Sequence, residues 1–274
     1  NQVNEAVLVI DNIQKVFRDS QAAELSYIIL ADFYTMFEEY DLAESSLLML
    51  AKNYPESNYA AEALLDAALN AEKRESNGFR QSIQLLNQLI NTYSDSPLVF
   101  FAMRHQGDLL RKASDFSGAV SVYDTLIQKF PDHPNRYLGD LSRLDCLLAL
   151  ANQNTSYDFK EIIVELERLL DLPNLPKEFQ LEVRYKLAFI LSKLDETSLA
   201  NKVILSIVDD FIDPDSRIRN FSSIESYWIA RSLFLLCDHL NADNQFEESK
   251  KIYRMIIAYN LPGFQLARQL LLEL

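Results

Sequence analysis

The residues of this sequence that could carry chemistry are few, and they do not cluster. His105 and Asp108 lie three positions apart, a spacing that brings two side chains together on one face of a helix. A metal or catalytic centre needs several converging groups, but the sequence has no H-x-x-x-H pair, no Cys/His cluster, no glycine-rich phosphate loop and no G-x-S-x-G motif. We therefore predict no catalytic residue, no metal, no cofactor and no enzymatic activity.

The remaining histidines and the two cysteines are expected to be structural. Cys146 and Cys237 are 91 residues apart, and each falls in a segment with helical periodicity. In an array of helical hairpins this separation is about two repeats, which is too far for a disulfide. We expect both thiols to be free and buried as small hydrophobic groups. His133 and His239 fall in a turn and near a helix end, and we expect them on the surface.

The elements that must position these residues are helical hairpins, of which the stretch 97–134 is the clearest. Two segments with apolar residues at three- and four-residue steps flank a polar turn at 112–115. Gly107 in the first segment and Ala119 in the second are small, so two antiparallel helices can approach each other closely. Phe130 ends the second segment, and a proline follows it.

Copies of this hairpin fill the chain. An aromatic or leucine residue ends each second segment, at steps of 37 to 48 residues between successive markers. A turn of Pro, Asp and Ser residues follows most of them, and such turns stop one helix and start the next. A period in this range is typical of a solenoid of helix pairs. The marker residues are Phe17, Tyr54, Tyr93, Phe130, Leu172, Phe211 and Tyr259.

Other residues recur at fixed positions inside the hairpins. They are Tyr27, Leu30, Ala31, Tyr34, Ala43, Leu47 and Pro55 in one hairpin, Gly107, Ala119, Tyr123 and Pro131 in another, and Ala188 and Ala200 in a third. This pattern resembles that of the tetratricopeptide repeat (TPR) family over nearly the whole chain. The resemblance implies an all-α, right-handed α-solenoid of antiparallel hairpins with about fourteen helices. The turns at 55–58 and 131–134 are also similar to those of bacterial envelope TPR proteins, the outer-membrane-assembly lipoproteins of the BamD type, which implies a bacterial periplasmic or envelope location.

The composition argues against several classes of function. A net charge of −14 disfavours binding to nucleic acid and to anionic membrane surfaces. Only five glycines occur in 274 residues, which argues against sheets and phosphate loops. No apolar run approaches the length of a membrane span, so we expect no direct membrane insertion.

We predict one continuous solenoid over 1–274. Neither end of the chain carries a polar capping repeat, so we expect a piece of a longer protein, or ends that are covered, with end-to-end self-association. The connections at 76–78, 151–158 and 213–223 are longer than the others, and Gly78 is expected to take positive φ. The predicted elements are an orphan helix at 2–18, hairpins at 21–55, 57–94, 97–131, 134–173, 176–212 and 224–260, and a terminal half-repeat at 263–274.

In the TPR family the first helix of each hairpin lines the concave face, so the resemblance implies a groove for a peptide or a partner protein. Arg104 and Arg111, beside Lys112, are a local basic exception in an acidic chain, and we expect an acidic segment of the partner there. The predicted partner-binding residues are Leu65, Leu69, Phe101, Arg104, Asp108, Arg111, Leu141, Asp145, Tyr185 and Phe189. The same face of the earlier hairpins also carries Leu25, Ile28, Asp32 and Glu62.

Two hypotheses for function follow. The first is a non-catalytic protein–protein interaction scaffold that binds its partner through the groove. The alternative is a scaffold segment of a larger enzyme or signalling protein whose catalytic domain lies outside this chain.

Overall fold

The computed structural model describes residues 2–74, 78–153, 158–212 and 221–274. Within these ranges it contains fourteen α-helices and no strand, which confirms the predicted all-α hairpin architecture. The helices are α1 Gln2–Val16, α2 Gln21–Met36, α3 Tyr40–Asn53, α4 Ala60–Glu72, α5 Gly78–Thr92, α6 Leu98–Lys112, α7 Phe116–Lys129, α8 Arg136–Asn152, α9 Phe159–Leu170, α10 Lys177–Lys193, α11 Thr197–Phe211, α12 Ser223–Ala242, α13 Phe246–Ala258 and α14 Phe264–Glu273.

The chain forms two compact units, Asn1–Cys146 and Leu147–Leu274. In the first unit, the helices α1 to α7 pack in sequence order, from α1 against α2 to α6 against α7. In the second unit, the helices from α9 to α14 do the same, and α10 also packs against α12. Packing between sequence neighbours is the pattern of stacked hairpins, in which each repeat buries its apolar side against the adjacent one. That one solenoid runs through both units stays a prediction.

Four hairpins are closed by the same three-residue turn. Its middle residue is not glycine but has left-handed φ between 59 and 62°: Glu38, Ser114, Asp195 and Asn244. The next residue donates its N–H to a carbonyl five positions back, as Asp115 does to Leu110 at 2.9 Å. This bond satisfies a carbonyl that the end of the first helix leaves free. Because such a conformation costs a non-glycine residue about 1–3 kcal/mol, its recurrence indicates that the hairpin geometry requires it.

A second turn recurs between successive hairpins of the first unit. The carbonyl of the marker residue accepts a hydrogen bond from the N–H three positions later, as in Phe17–Ser20, Tyr54–Ser57, Tyr93–Ser96 and Phe130–His133. The marker residues therefore lie where the sequence places them, at the ends of the second helices.

Two marker tyrosines tie neighbouring hairpins together through their hydroxyl groups. Tyr54 Oη donates to the carbonyl of Arg18 at 2.6 Å, and Tyr93 Oη donates to the carbonyl of Pro55 at 2.9 Å. In each case the acceptor is the residue that follows the preceding marker. The bond therefore links the end of one second helix to the turn before its hairpin, and it fixes the spacing of the repeats.

The close approach predicted for the hairpin of α6 and α7 is confirmed. A Cβ on Gly107 would lie 2.5 Å from the ring of Tyr123, so no larger residue fits against that ring. Tyr123 and Ala119 are both fully buried on the facing helix. Both cysteines are free and buried, as expected.

Three local expectations are wrong. Gly78 is the first residue of α5, and among the described glycines only Gly263 has positive φ, at 84°. His133 is half-buried, and its ring stacks on Phe100 with centroids 3.7 Å apart. His239 is also half-buried, between helices of the second unit. Most of the connections predicted at 76–78, 151–158 and 213–223 lie outside the described residues.

Replacing Gly107 by alanine tests the close approach. The added methyl group would overlap the buried Tyr123 ring, so we expect the variant to lose about 1–3 kcal/mol of unfolding free energy. Ser117→Ala, at an exposed position of α7, is the control and should change stability by less than about 0.5 kcal/mol. Urea unfolding of the full chain followed by circular dichroism measures both, and equal losses would mean that the packing faces are assigned wrongly.

Candidate functional site

The first helices of three successive hairpins lie side by side in the first unit. Thr35 Oγ1 of α2 donates to Asn70 Oδ1 of α4 at 2.9 Å. Glu72 of α4 contacts two residues of α6, with its carboxylate oxygens 3.0 Å from His105 Nε2 and 2.5 Å from Lys112 Nζ. The exposed sides of α2, α4 and α6 therefore form one surface, which we call the first-helix face.

His105 belongs to this inter-helix contact and not to a catalytic pair. Its partner is Glu72, whereas Asp108, the neighbour suggested by the sequence, pairs with other residues. Burial would raise the pKa of Glu72, but the hydrogen bond from Lys112 and the charge of His105 lower it below its usual value. The contact holds α4 against α6.

Apolar side chains are exposed on the first-helix face. Phe101 of α6 is 39% exposed and Leu69 of α4 is 38% exposed, while Leu65, one turn before Leu69, is half-buried. On α2, Ile29 and Met36 are 58% and 80% exposed. Adjacent helices of this unit thus present large hydrophobic groups to solvent, as interaction surfaces do.

Four predicted site residues form one charged network on α6 and the middle of α8. Asp108 lies 3.4 Å from Arg104 and 3.5 Å from Arg111, and Arg111 also contacts Asp145 at 3.3 Å. Burial alone would lower the pKa of Arg111, but Asp145, then Tyr123 and Asp108, raise it overall. Both arginines are therefore already paired with carboxylates, and an acidic partner segment would have to compete with these contacts.

Tyr123 adds a hydrogen bond to this network. Its hydroxyl donates to Asp108 Oδ1 at 2.7 Å. Burial and this hydrogen bond raise the pKa of Tyr123, so the phenol stays protonated and remains a donor. The residue that packs on Gly107 thus also orients the carboxylate that holds the two arginines.

Leu141, the remaining predicted residue of the first unit, has little exposed surface. Leu141 is only 4% exposed, because it points into the core of that unit. Asp145, one turn further along α8, is half-buried and is held by Arg111.

In the second unit, the predicted residues Tyr185 and Phe189 belong to an aromatic cluster. Tyr185 is 8% exposed, and its ring centroid lies 6.2 Å from that of Phe189 and 5.3 Å from that of Trp228. The guanidinium of Arg231 lies over the Tyr185 ring, 4.7 Å from its centroid. Tyr227, 44% exposed, extends the cluster to the surface. The α12 members were not predicted from the sequence, although Tyr227, Trp228 and Arg231 lie within about one helical turn.

Ser192, His239 and Asn201 also come together in the second unit. Ser192 Oγ lies 2.9 Å from His239 Nε2, and His239 Nδ1 lies 2.6 Å from Asn201 Oδ1. This order is that of a nucleophile, a base and an orienting group. However, Ser192 lies in the last turn of α10, where the backbone N–H groups bond within the helix and cannot stabilise an oxyanion. The three side chains instead tie α10, α11 and α12 together, and burial lowers the pKa of His239.

Asp32 of α2 and Glu62 and Asp66 of α4 lie on adjacent helices, which the Thr35–Asn70 hydrogen bond holds together. Burial, and then the nearby Glu62 and Asp32 carboxylates, raise the pKa of Asp66 to about 6. Within the described ranges, no Lys or Arg forms a salt bridge with any of the three. Asp66 was not predicted from the sequence, although its position four residues after Glu62 on a first helix is a detectable signal.

The described part of the chain holds no group of three or more His, Cys, Asp or Glu side chains placed to bind a metal ion. In the same ranges, none of the helices combines the length and the hydropathy that crossing a bilayer requires.

Comparisons with known proteins support the TPR-like fold. The family model of the tetratricopeptide repeat matches residues 101–133, which cover most of α6 and all of α7. The solved structure of Pseudomonas aeruginosa pilF is similar with a TM-score of 0.55 and 14% identity, over 89% of this chain and 97% of that one. A tetratricopeptide repeat protein from Parabacteroides merdae gives a TM-score of 0.53 and 11% identity, over 90% of this chain and 97% of that one. No curated protein sequence matches the chain.

Replacing Asp66 by asparagine tests the electrostatic state of the first-helix face. Because the folded state raises the pKa of Asp66 from 3.8 to about 6, it favours the neutral carboxyl. Stability from this group is therefore present below pH 4 and is lost as the pH rises through about 6. At pH 7.5 we expect Asp66→Asn to be more stable than the parent chain by about 1–2 kcal/mol, with solvent screening included.

Most of the gain should be lost near pH 4, where the folded-state carboxyl of Asp66 is neutral like the asparagine amide. Glu161→Gln, on the exposed side of α9, is the matched control and should leave the pH dependence unchanged. Urea unfolding at several pH values measures the difference, and a gain that is the same at pH 4 and pH 7.5 would contradict the assignment.

Proposed function

We propose that this chain is a non-catalytic scaffold that binds a protein or peptide partner through the first-helix face of its first unit. The observation that carries the proposal is the set of exposed apolar side chains on three adjacent helices, represented by Met36, Leu69 and Phe101. Exposed hydrophobic groups cost free energy in water, and burial against a partner removes that cost. The TPR-like fold supports the same class of function.

The predicted residues have different roles in this proposal. Leu65, Leu69 and Phe101 supply apolar contact area, which is the main source of affinity at interfaces. Arg104 and Arg111 are held by Asp108 and Asp145, so they orient the partner more than they attract it. Two predicted residues belong to the second unit. Tyr185 is buried, whereas Phe189 is only half-buried, and we propose Phe189 as a further contact point.

The location of the protein belongs to the proposal as well. The similarity of the turns at 55–58 and 131–134 to those of BamD-type lipoproteins favours a bacterial envelope or periplasmic location.

Removing apolar contacts from the first-helix face tests the proposal. We expect Leu69→Ala/Phe101→Ala to weaken partner binding at least tenfold, because each truncation at an interface hot spot costs about 1–2 kcal/mol. The matched control is Gln128→Ala/Lys129→Ala, at exposed positions near the end of the second helix α7. Copurification from an extract of the source cells with the immobilised full chain identifies the partner, and titration of the purified partner gives the dissociation constants. If the control loses binding and the first-helix variant keeps it, the partner contacts the second helices.

Self-association through the terminal helices stays a prediction. Leu8, Val9 and Val16 of α1 are 60–65% exposed, and Leu272 of α14 is 88% exposed. We expect sedimentation experiments to show association that increases with concentration and that is weakened by Leu8→Lys/Val9→Lys, because a charge on an apolar contact is costly to bury. A chain that stays monomeric at the highest soluble concentration would contradict this expectation.

A further inference from the structure

The part of the first-helix face formed by α2 and α4 differs in charge from the part formed by α6. On α6, both arginines and Lys112 are paired with carboxylates. The hydrogen bond from Thr35 to Asn70 aligns α2 with α4, and one turn earlier the charges of Glu62 and Asp32 act on Asp66. Within the described ranges, no Lys or Arg forms a salt bridge with these three carboxylates. We call these three carboxylates the acidic seam. Among the described residues, its charges have no basic partner and can interact with one that another protein supplies.

Apolar side chains border the acidic seam on both sides. Ile29 and Met36 of α2 are 58% and 80% exposed, and Leu69 of α4 is 38% exposed. Carboxylates flanked by exposed hydrophobic groups suit a partner that offers both apolar and positively charged side chains.

The exposed side chains of α2 form a continuous stripe on which a partner helix can pack. Leu25, Ile29, Asp32 and Met36 are all exposed and follow one another at steps of four, three and four residues. This is the spacing at which one helix presents a seam to another helix in ridge-and-groove packing. A helix that lies along this stripe can keep apolar and charged side chains against it over several turns.

We propose that α2 and α4 form a docking surface for an amphipathic helix of a partner protein that carries lysine or arginine residues beside its apolar stripe. The proposal rests on the proposed scaffold function, and it specifies the chemistry of the partner and the part of the face that it contacts. The apolar stripe of the partner packs on Ile29, Met36 and Leu69. Its cations lie against Asp32 and Asp66 and neutralise charges that otherwise repel each other.

A divalent cation is the main alternative ligand for an acidic cluster. Calcium needs six to eight oxygen ligands that converge on one point. Among the described residues, no three carboxylate, His or Cys side chains are arranged to hold a metal ion. The exposed apolar border also has no role in a metal site, and it favours the helical partner.

Model peptides provide a direct test with the full chain. The probe is an amphipathic peptide of leucine and lysine about 20 residues long, a length at which a helix is stable enough to form on binding. One comparison peptide has glutamate in place of lysine, and another keeps the lysines but has two central prolines that prevent a helix. Fluorescence anisotropy at about 0.15 M salt, where long-range attraction is screened, gives the dissociation constants. We expect the leucine–lysine helix to bind at least tenfold more tightly than either comparison peptide.

Two pairs of substitutions with the same charge change locate the site. Asp32→Asn/Asp66→Asn should weaken binding of the leucine–lysine helix at least tenfold. Glu161→Gln/Glu167→Gln, at exposed positions of α9 in the second unit, should weaken it less than twofold. Ile29→Ala/Met36→Ala should weaken it at least fivefold while leaving the charge unchanged. Circular dichroism checks that each variant is folded.

The outcomes separate this inference from the proposed function. Equal losses for the two pairs of carboxylate variants, or equal binding of the proline peptide, would show attraction to the acidic chain as a whole and would overturn the inference. Calcium that blocks the peptide at micromolar concentration would also overturn it in favour of a metal site. If Leu69→Ala/Phe101→Ala abolishes binding of the copurified partner while Asp32→Asn/Asp66→Asn does not, the docking inference fails and the scaffold function stands.

Discussion

The reversal of the chain inside each hairpin is the constraint on which the rest of this structure depends. A helix end leaves backbone carbonyls without partners, and they must be satisfied within very few residues if the next helix is to pack alongside. Glu38, Ser114, Asp195 and Asn244 achieve this with the same left-handed conformation, although none of them is glycine. The turn sets the direction of the second helix, so the contact between α6 and α7 follows from it. Gly107 then decides how closely those two helices approach.

The spacing of hairpins in the first unit follows from their outer ends. The hydroxyls of Tyr54 and Tyr93 each reach back to the turn that precedes their own hairpin. This fixes how far successive first helices lie from one another, and it brings Thr35 to Asn70 and Glu72 to α6. Side chains on adjacent first helices therefore meet whether or not their charges are compatible. On α6 the charges are balanced, whereas on α2 and α4 they are not.

The sequence predicts the local features of this structure well, because they depend on residues that are close together in the chain. The number of helices and the close contact at Gly107 and Ala119 follow from periodicity and residue size. The side-chain pairs that join different hairpins could not be predicted. Glu72 with Lys112, and Arg111 with Asp145, are separated by 40 and 34 residues, and their contact depends on the register between helices. For this reason the sequence predicts a free basic patch at Arg104 and Arg111, whereas in the structure both arginines are paired with carboxylates.

The environments of one histidine and one glycine also could not be predicted from the sequence alone. His239 looks like a surface residue near a helix end, but the packing of α10, α11 and α12 encloses it and supplies Ser192 and Asn201 as partners. Gly78 looks like a turn residue, but glycine is also tolerated at the first position of a helix, where α5 begins. In both cases the residue type allows two environments, and tertiary packing selects one.

The balance of charges on the first-helix face bears directly on what it can recognise. A paired and partly exposed network such as Arg104, Asp108 and Arg111 contributes little net affinity, since a partner must break existing contacts to make new ones. Carboxylates that repel one another are different, because a partner's cation adds favourable contacts and also relieves the repulsion that raises the pKa of Asp66. Selectivity on this face should therefore come from the carboxylates that have no basic partner among the described residues, and affinity from the hydrophobic side chains beside them. In a repeat protein whose backbone geometry recurs from hairpin to hairpin, this difference in pairing is what distinguishes one part of the surface from another.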